Sequence, residues 1–229
     1  MLTLAIDTST STAGIVLLEE ETIRAEVLIN LGINHSASLL PSINHIFSLA
    51  GIKMADIDFF ACTLGPGSFT GLRIGASTVK GFAMATGKPV VGVSTLDALA
   101  LNMTNSSMLI CPMLDAKKKQ VYTALYRADL HNSSERICEE EAVEVEKFLL
   151  SIHENCIFLG DGAFVYQDVI KKTLPGHAYF TSPIHQHIRA AAVGLLGIRK
   201  FQANDTLNLF TFTPHYLRMS EAEIKKADT

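Results

Sequence analysis

The sequence has few cysteines, no long apolar run and no excess of positive charge, and each shortage excludes a class of protein. The four cysteines among 229 residues are widely spaced and form no CxxC pair, so the pattern predicts no disulfide framework. No apolar stretch approaches the roughly 20 residues that a membrane-spanning helix needs, and we expect no membrane association. The N-terminal residues lack a basic segment followed by an apolar one, so we expect a cytoplasmic location.

The formal net charge of −4 gives the chain no general attraction for a polyanion. The basic run Lys117 to Lys119 has two open interpretations, a contact with nucleic acid and a solvated turn, and its small size favours the turn. If nucleic acid is involved, another subunit is expected to supply the affinity. The hydrophobic content of 48% is ample for a buried core.

Hydrophobic periodicity predicts a βββαβα series that occurs twice. The first series has strands at 2–6, 13–18, 23–29 and 57–64 and helices at 36–50 and 70–85, followed by a strand at 89–93 and a helix from 95. The second has strands at 108–114, 121–126, 137–143 and 156–159 and helices at 145–152 and 163–172. This repeat predicts two similar domains, 1–104 and 105–229, that face each other across a cleft.

The segment GPGSFTGLRIG, from Gly65 to Gly75, predicts a strand, a tight turn and a helix. Gly65 and Gly67 allow positive φ angles and close backbone approach, and Ser68 or Thr70 can cap the helix. The free N–H groups of such a helix start favour an anion. Because the lysine of a Walker loop is absent, contact with a ligand and a merely close-packed turn remain equally open.

An aspartate ends a predicted strand in each half, Asp7 in the first and Asp115 in the second. In actin-like ATPases and sugar kinases, hairpins with such an aspartate face nucleotide phosphates. The alternative is that Asp7 only hydrogen-bonds its own turn, which contains Thr8. The candidate nucleotide contacts are Asp7, Thr8, Gly65, Gly67, Ser68 and Thr70.

The two long predicted helices, 36–50 and 70–85, carry apolar residues on more than one face. One face must cover the sheet, and another is available for a partner. The alternative, that all of this apolar surface is internal core, stays open on composition alone.

Several motifs, in order along nearly the whole chain, resemble the TsaB (YeaZ) family. The resemblance implies an α/β fold of the actin-like, sugar-kinase and Hsp70-like class, with two βββαβα halves and a shortened second half. It also implies a non-catalytic subunit of the bacterial tRNA threonylcarbamoyladenosine modification complex. The motifs are AIDTST at 5–10, HSASLLP at 35–41, GPGSFTGLRIG at 65–75, KGFA at 80–83, GVSTLDALA at 92–100, LDAKKKQVY at 114–122 and PHYLR at 214–218.

The same resemblance implies the partners. We expect a homodimer when the protein is alone, a heterodimer with the catalytic relative TsaD, and docking of the ATPase TsaE onto that pair. Contact with tRNA is expected only through the complex. No cofactor is expected to be tightly bound, and ATP or ADP is a candidate ligand at the complex interface. The implied interface residues are Leu39, Leu40, Ile43, Phe47, Leu72, Gly75, Ala76 and Val79.

The resemblance also implies that this chain is not itself an enzyme. TsaD reads roughly GVNHLEGH where this chain reads GVSTLDAL, so its two metal-binding histidines fall at Thr95 and Leu99. Neither side chain can replace an imidazole, and we expect no metal site and no catalytic residue. Two alternatives remain: an autonomous ATPase or kinase, and a peptidase, for which Ser68 and Ser94 lack a recognisable histidine partner.

Overall fold

The first half of the chain forms a mixed sheet with helices on both faces. The computed structural model describes residues 1–32, 34–129 and 133–218. The strand order is β3-β2-β1-β4-β5, in which β2 is antiparallel to β1 and β3, and β4 is parallel to β1 and β5. The predicted elements of this half are confirmed, with small shifts at their ends. The bounds are β1 Leu2–Asp7, β2 Ala13–Glu19, β3 Thr22–Ile29, α1 His35–Ala50, β4 Phe59–Gly65, α2 Phe69–Thr86, β5 Val90–Ser94 and α3 Thr95–Ala100.

The second half repeats this strand path in shorter form. Its order β10-β7-β6-β11-β12 places antiparallel β7 and parallel β11 beside β6, as β2 and β4 lie beside β1. The predicted repeat and the shortened second half are therefore confirmed. The bounds are β6 Leu109–Asp115, β7 Gln120–Thr123, β8 Tyr126–Ala128, β9 Ser134–Arg136, β10 Glu141–Glu144, α4 Val145–Leu149, β11 Cys156–Leu159, α5 Asp161–Val165, α6 Gln167–Thr173, β12 Ala178–Phe180 and α7 Ala190–Gln202.

Three predicted elements of the second half were wrong in detail, because none of them forms one continuous strand or helix over its predicted residues. The strand predicted at 121–126 is interrupted between β7 and β8, where the Leu125 amide donates to Cys138 Sγ at 3.1 Å instead of to a strand carbonyl. Of the strand predicted at 137–143, only residues 141–143 form a strand, as part of β10, and residues 137–140 connect β9 to β10. The helix predicted at 163–172 consists of α5 and α6, which meet at Tyr166.

Helices from both ends of the chain enclose the first sheet. α1 and α2 cover one face, where Leu39 and Val79 join a core with Leu4 and Phe60. α3 and α7 share the core of the opposite face. The division at residues 104 and 105 stays a prediction, and α7, although it lies beyond that point in sequence, packs on β1, β2, β4 and β5 of the first sheet.

The last described residues, 206–218, form a segment that we call the C-terminal strap. Its Leu207 amide donates to Val90 O at 2.8 Å, and Leu207 and Phe212 pack against the core beneath α1 and α2. The strap thereby returns the PHYLR motif to the end of β4, where the His215 amide donates to Leu64 O at 2.6 Å. The sequence after Ser220 predicts a loosely held tail, and that tail lies outside the described residues.

Two features can be compared with the sequence, the state of the cysteines and the presence of a membrane-spanning helix. The four cysteines are free thiols, in agreement with the absence of a predicted disulfide framework. Within residues 1–32, 34–129 and 133–218, no helix is both long and apolar enough to cross a bilayer.

Candidate functional site

A cleft of about 620 Å³ lies between the two halves and is the candidate ligand site. Its first wall comes from the β1–β2 turn and from the starts of α1 and α2. Its second wall comes from the β6–β7 turn and the start of α5. The strap contributes the remaining residues, from His215 to Arg218. The cleft thus lies where the repeat predicts one, and it includes a segment that periodicity did not predict.

The glycine turn packs tightly against the β1–β2 turn. A Cβ atom on Gly71 would lie 2.0 Å from Thr8 O, and one on Gly67 would lie 2.3 Å from Ser9 O. The Ser68 amide donates to Ser9 O at 2.6 Å, and its hydroxyl caps α2 by accepting from the Gly71 amide at 3.2 Å. Close packing therefore accounts for these glycines, whether or not a ligand binds beside them.

The six candidate nucleotide contacts divide into two groups. Gly67, Ser68 and Thr70 line the cleft, while Asp7, Thr8 and Gly65 lie behind its surface. The residues of the β1–β2 turn that do line the cleft are Ser9, Thr10 and Ser11. Sequence reasoning missed them, although their hydroxyl content was a usable signal. Contact between any of these residues and a nucleotide stays a prediction.

Asp7 is fully buried and holds its own turn together. Its Oδ1 atom accepts from the Ser9 amide at 3.1 Å, from the Ser9 hydroxyl at 2.6 Å and from the Thr63 hydroxyl at 2.7 Å. Its Oδ2 atom has no hydrogen-bond partner among the described residues. Burial raises the pKa of Asp7 above the usual range of an aspartate, and the Ser9 and Thr63 hydrogen bonds oppose that shift. Asp7 therefore stabilises the turn from behind the cleft.

The equivalent aspartate of the second half, Asp115, lies at the cleft surface. Its Oδ2 atom accepts from Lys117 Nζ at 2.7 Å and its Oδ1 atom from the Lys117 amide at 2.9 Å. Hydrogen bonding to Asp115 raises the pKa of Lys117. The Asp115 amide donates to Asp161 Oδ1 at 3.1 Å, and burial raises the pKa of Asp161. This wall combines two carboxylates with one ammonium group.

The strap adds aromatic and basic groups to the cleft. The ring of Tyr216 stacks on Phe69 with 4.3 Å between centroids, and its hydroxyl accepts from Arg73 Nε at 3.1 Å. Arg218 Nη1 donates to Ala116 O at 2.8 Å. Only the family resemblance pointed to the PHYLR motif, because no local pattern indicates where a tail will dock.

The positions that correspond to the metal-binding histidines of TsaD lie inside the protein. Thr95 and Leu99 are both fully buried on α3. Across the described part of the chain, no group of three or more His, Cys, Asp or Glu side chains is placed to bind a metal ion. The residues present at α3 therefore do not fit the metal that the fold family implies.

The two serines of the peptidase alternative both cap helices. Ser68 caps α2, and Ser94 caps α3 by accepting from the amides of Leu96 and Asp97 at 3.1 and 3.2 Å. The Ser94 hydroxyl also donates to Glu140, a carboxylate rather than an imidazole. These contacts give both hydroxyls a structural role.

Most residues of the implied partner interface are covered by this chain's own core. Leu39, Ile43 and Phe47 on α1 and Leu72, Gly75, Ala76 and Val79 on α2 are buried, whereas Leu40 is 49% exposed. Two further exposed apolar residues of these helices are Leu49 on α1 at 72% and Met84 on α2 at 63%. The interface assignment stays a prediction, and we call the solvent-exposed surface of α1 and α2, which carries Leu40, Leu49 and Met84, the outer face.

Comparison with known proteins identifies related sequences. The sequence pattern of the family described as TsaD, tRNA N6-adenosine threonylcarbamoyltransferase, matches residues 29–226. The tRNA threonylcarbamoyladenosine biosynthesis protein TsaB of Bacillus subtilis is 33% identical over 228 residues, which cover 98% of this chain and 97% of the relative. The protein of the same description in Escherichia coli is 34% identical over 128 residues, 55% of each chain.

Solved structures show a similar fold. YeaZ from Pseudomonas aeruginosa superposes with a TM-score of 0.80 at 24% identity, covering 94% of this chain and 99% of that one. Component A of the (R)-2-hydroxyglutaryl-CoA dehydratase of Acidaminococcus fermentans superposes with a TM-score of 0.53 at 13% identity, covering 87% and 98%. With the repeated strand path, these neighbours confirm the predicted α/β fold of the actin-like, sugar-kinase and Hsp70-like class.

Proposed function

Because this chain belongs to the TsaB family of tRNA threonylcarbamoyladenosine biosynthesis proteins, we propose that it is the non-catalytic subunit of the modifying complex. With TsaD and TsaE it supports transfer of the threonylcarbamoyl group from threonylcarbamoyl-AMP to N6 of the adenosine next to the anticodon. The tRNAs concerned read codons that begin with A. This role implies a location in the cytoplasm.

The observation that carries the proposal is the burial of Thr95 and Leu99 on α3. The resemblance to TsaD implies that the metal-dependent transferase has two imidazoles four residues apart on this helix, a spacing that lets both reach one ion. In this chain the two positions are a buried hydroxyl at Thr95 and a buried isobutyl group at Leu99. Such a helix supports packing and leaves the chemistry to a partner.

The outer face is the surface through which the chain would act. α1 and α2 have 16 and 18 residues, so each extends about 24 Å or more. Leu40 and Leu49 on α1 and Met84 on α2 are exposed, and a Cβ atom on Gly81 of α2 would meet nothing within 4 Å. Exposed apolar side chains beside an open helix surface favour helix-to-helix docking. We assign this face to TsaD and, in its absence, to a second copy of the chain, which makes the two assemblies mutually exclusive.

The cleft has groups that suit a loosely bound nucleotide. The start of α2, with Ser68 and Thr70, offers N–H and hydroxyl donors. Lys117 and Arg218 add positive charge on the other sides of the cleft. We therefore propose that ATP or ADP binds loosely here within the assembled complex. The chain's net charge of −4 suits a subunit that meets tRNA only through its partners.

A second candidate function, an autonomous ATPase or kinase, is favoured by the pair Asp115 and Asp161 in the second wall. Carboxylates at such a position are suited to a magnesium–nucleotide complex. Purified chain that turned over ATP without partners, and lost that turnover in Asp161→Asn, would establish this alternative. The scaffold role predicts no turnover by the chain alone.

The test of the proposed function is reconstituted transfer to tRNA. TsaD, TsaE and the adenylate-forming enzyme of the same organism are assayed with and without this chain. We expect modified adenosine to accumulate only when the chain is present. Full transfer without the chain would refute the proposal.

A further inference from the structure

The C-terminal strap contacts both halves of the molecule within four residues. On the first half, His215 donates its amide to Leu64 O at 2.6 Å. A Cβ atom on Gly65 would lie 2.3 Å from His215 O, so the strap backbone lies directly on the end of β4. On the second half, Arg218 Nη1 donates to Ala116 O at 2.8 Å.

The first-half anchorage is reinforced by a stack of three side chains. Tyr216 stacks on Phe69 with 27° between the ring planes, and the guanidinium carbon of Arg73 lies 3.9 Å from the Phe69 ring centroid. The hydrogen bond from Arg73 Nε to the Tyr216 hydroxyl links the ends of this stack. Aromatic and cation–π contacts of this kind each add to the energy of simple burial.

The length of the strap limits how far the halves can separate. Three Cα–Cα steps of about 3.8 Å join His215 to Arg218, so their Cα atoms can be at most about 11 Å apart. A wider opening must break the Arg218 hydrogen bond or detach His215 and Tyr216. Away from the strap the halves share one apolar core, in which Leu99 of α3 lies with Ile110 of β6, and the Tyr126 hydroxyl donates to Asp97 Oδ1 at 2.8 Å. The strap therefore acts at the rim of the cleft.

We propose that the C-terminal strap is an intramolecular clasp that holds the rim of the cleft together and must be released before the cleft can widen. The clasp is built from the first-half stack at Tyr216 and the second-half hydrogen bond at Arg218. It goes beyond the proposed function, because it concerns this chain alone and is independent of any partner.

Distance measurements on the full chain test the clasp. Spin labels are placed on exposed Ser77 of α2 and Lys172 of α6 through an unnatural amino acid, which leaves the native thiols untouched. The parent chain is expected to give one narrow distance distribution. Arg218→Ala and Tyr216→Ala are each expected to broaden it towards longer distances. Phe210→Ala, in a strap side chain that is 81% exposed, is the matched control and should leave it unchanged.

Hydrogen exchange on the same variants separates clasp release from general destabilisation. The amides of Ala116 and Gln120, which bond across the β6–β7 turn, are expected to exchange about tenfold faster in Arg218→Ala. The amides of β11 should keep their parent rates. Unchanged distances and exchange in both clasp variants would overturn the proposal. Equal acceleration in β11 would overturn it as well, since the strap would then stabilise the whole fold and not the rim of the cleft.

Discussion

The two halves have the same strand path but very different helices. α1 and α2 contain 16 and 18 residues, whereas their second-half counterparts are α4 with 5 residues and the pair α5 and α6 with 5 and 7. The short helices do not bury all of their apolar residues, since Phe164 and Val165 of α5 are 74% and 57% exposed. A helix of four or five turns can cover the sheet and present a second face. The two halves therefore share a strand path but differ in helix length, and the longer helices, α1 and α2, are the ones we propose for the partner surface.

The two halves also differ in the turn between their first two strands, which is β1–β2 in the first half and β6–β7 in the second. In the first half, Asp7 and Ser9 bind each other inside the turn, and Thr8 donates its hydroxyl to Gly71 O at 2.7 Å. In the second half, Lys117, Lys118 and Lys119 adopt left-handed φ angles of 62°, 54° and 62°. Buried hydroxyl groups hold the first-half turn in place. The second-half turn is exposed, and its lysines have a left-handed backbone conformation that lysine rarely adopts.

The largest effect is expected from a substitution that disrupts the packing of the first-half turn. Gly71→Ala places a methyl group against Thr8 O and should lower the free energy of unfolding by about 3 kcal/mol or more. Gly81→Ala, on the same helix but in open space, should raise it by up to about 1 kcal/mol. Urea unfolding of both variants measures the difference. Equal stabilities of the two variants would show that the turn accommodates a methyl group at Gly71. Close packing would then not explain the glycine at this position.

The next effect tests whether the first half alone carries the partner surface. The double variant Leu40→Glu, Leu49→Glu should weaken binding to TsaD and self-association by at least about tenfold, because two exposed apolar side chains become charged. Calorimetry and sedimentation measure these affinities. Leu150→Glu, at a second-half position that is 70% exposed, is the matched control. Stronger weakening by the control would transfer the interface to the second half.

A smaller effect concerns the buried carboxyl of the first half. Burial raises the pKa of Asp7, so the folded chain holds this proton more tightly than the unfolded chain does. Stability contributed by the protonated form is then lost as pH rises above about 3.9 through the folded pKa. Asp7→Asn cannot ionise and should gain stability relative to the parent as pH rises from about 4 to about 7. Unfolding at both pH values measures the gain, and a relative stability that falls over this range would contradict the assignment.

The smallest effect sharpens the contrast between the two turns. Lys119→Gly relieves a left-handed backbone at 62°, and this gain is partly offset by the greater entropy of glycine in the unfolded chain. We expect a rise in stability of about 0.5 kcal/mol. A clear loss in Lys119→Gly under thermal unfolding would mean that the lysine side chain holds the turn.

Local patterns predicted the first half well because its elements are long and regular. α1 and α2 have clear helical spacing and good end signals, since Ser68 caps α2 and Gly51 ends α1 in a left-handed conformation. Which of their two apolar faces meets the sheet depends on helix rotation, which periodicity does not fix. The interface prediction, which stays untested, therefore included Leu39 and Val79, and both are buried in this chain's own core.

The second half and the cleft were harder to predict because their decisive contacts are distant in sequence. Cys138 and Leu125 interrupt two strands through a contact that no local window contains. The strap reaches Leu64 and Ala116 from more than 100 residues away. The burial of Asp7 follows from packing against Thr63, a neighbouring strand's residue, so the sequence alone could not separate a ligand contact from a turn.

The initial rate of threonylcarbamoyl transfer to tRNA shows whether this chain acts through the outer face of its first half, as we propose. The rate is measured with TsaD, TsaE and the adenylate-forming enzyme, supplied either with the parent chain or with the Leu40→Glu, Leu49→Glu variant. We expect the double variant to give a rate near that of the mixture without the chain, while Leu150→Glu supports the parent rate. A folded double variant that restored full transfer would refute the proposed role of the outer face.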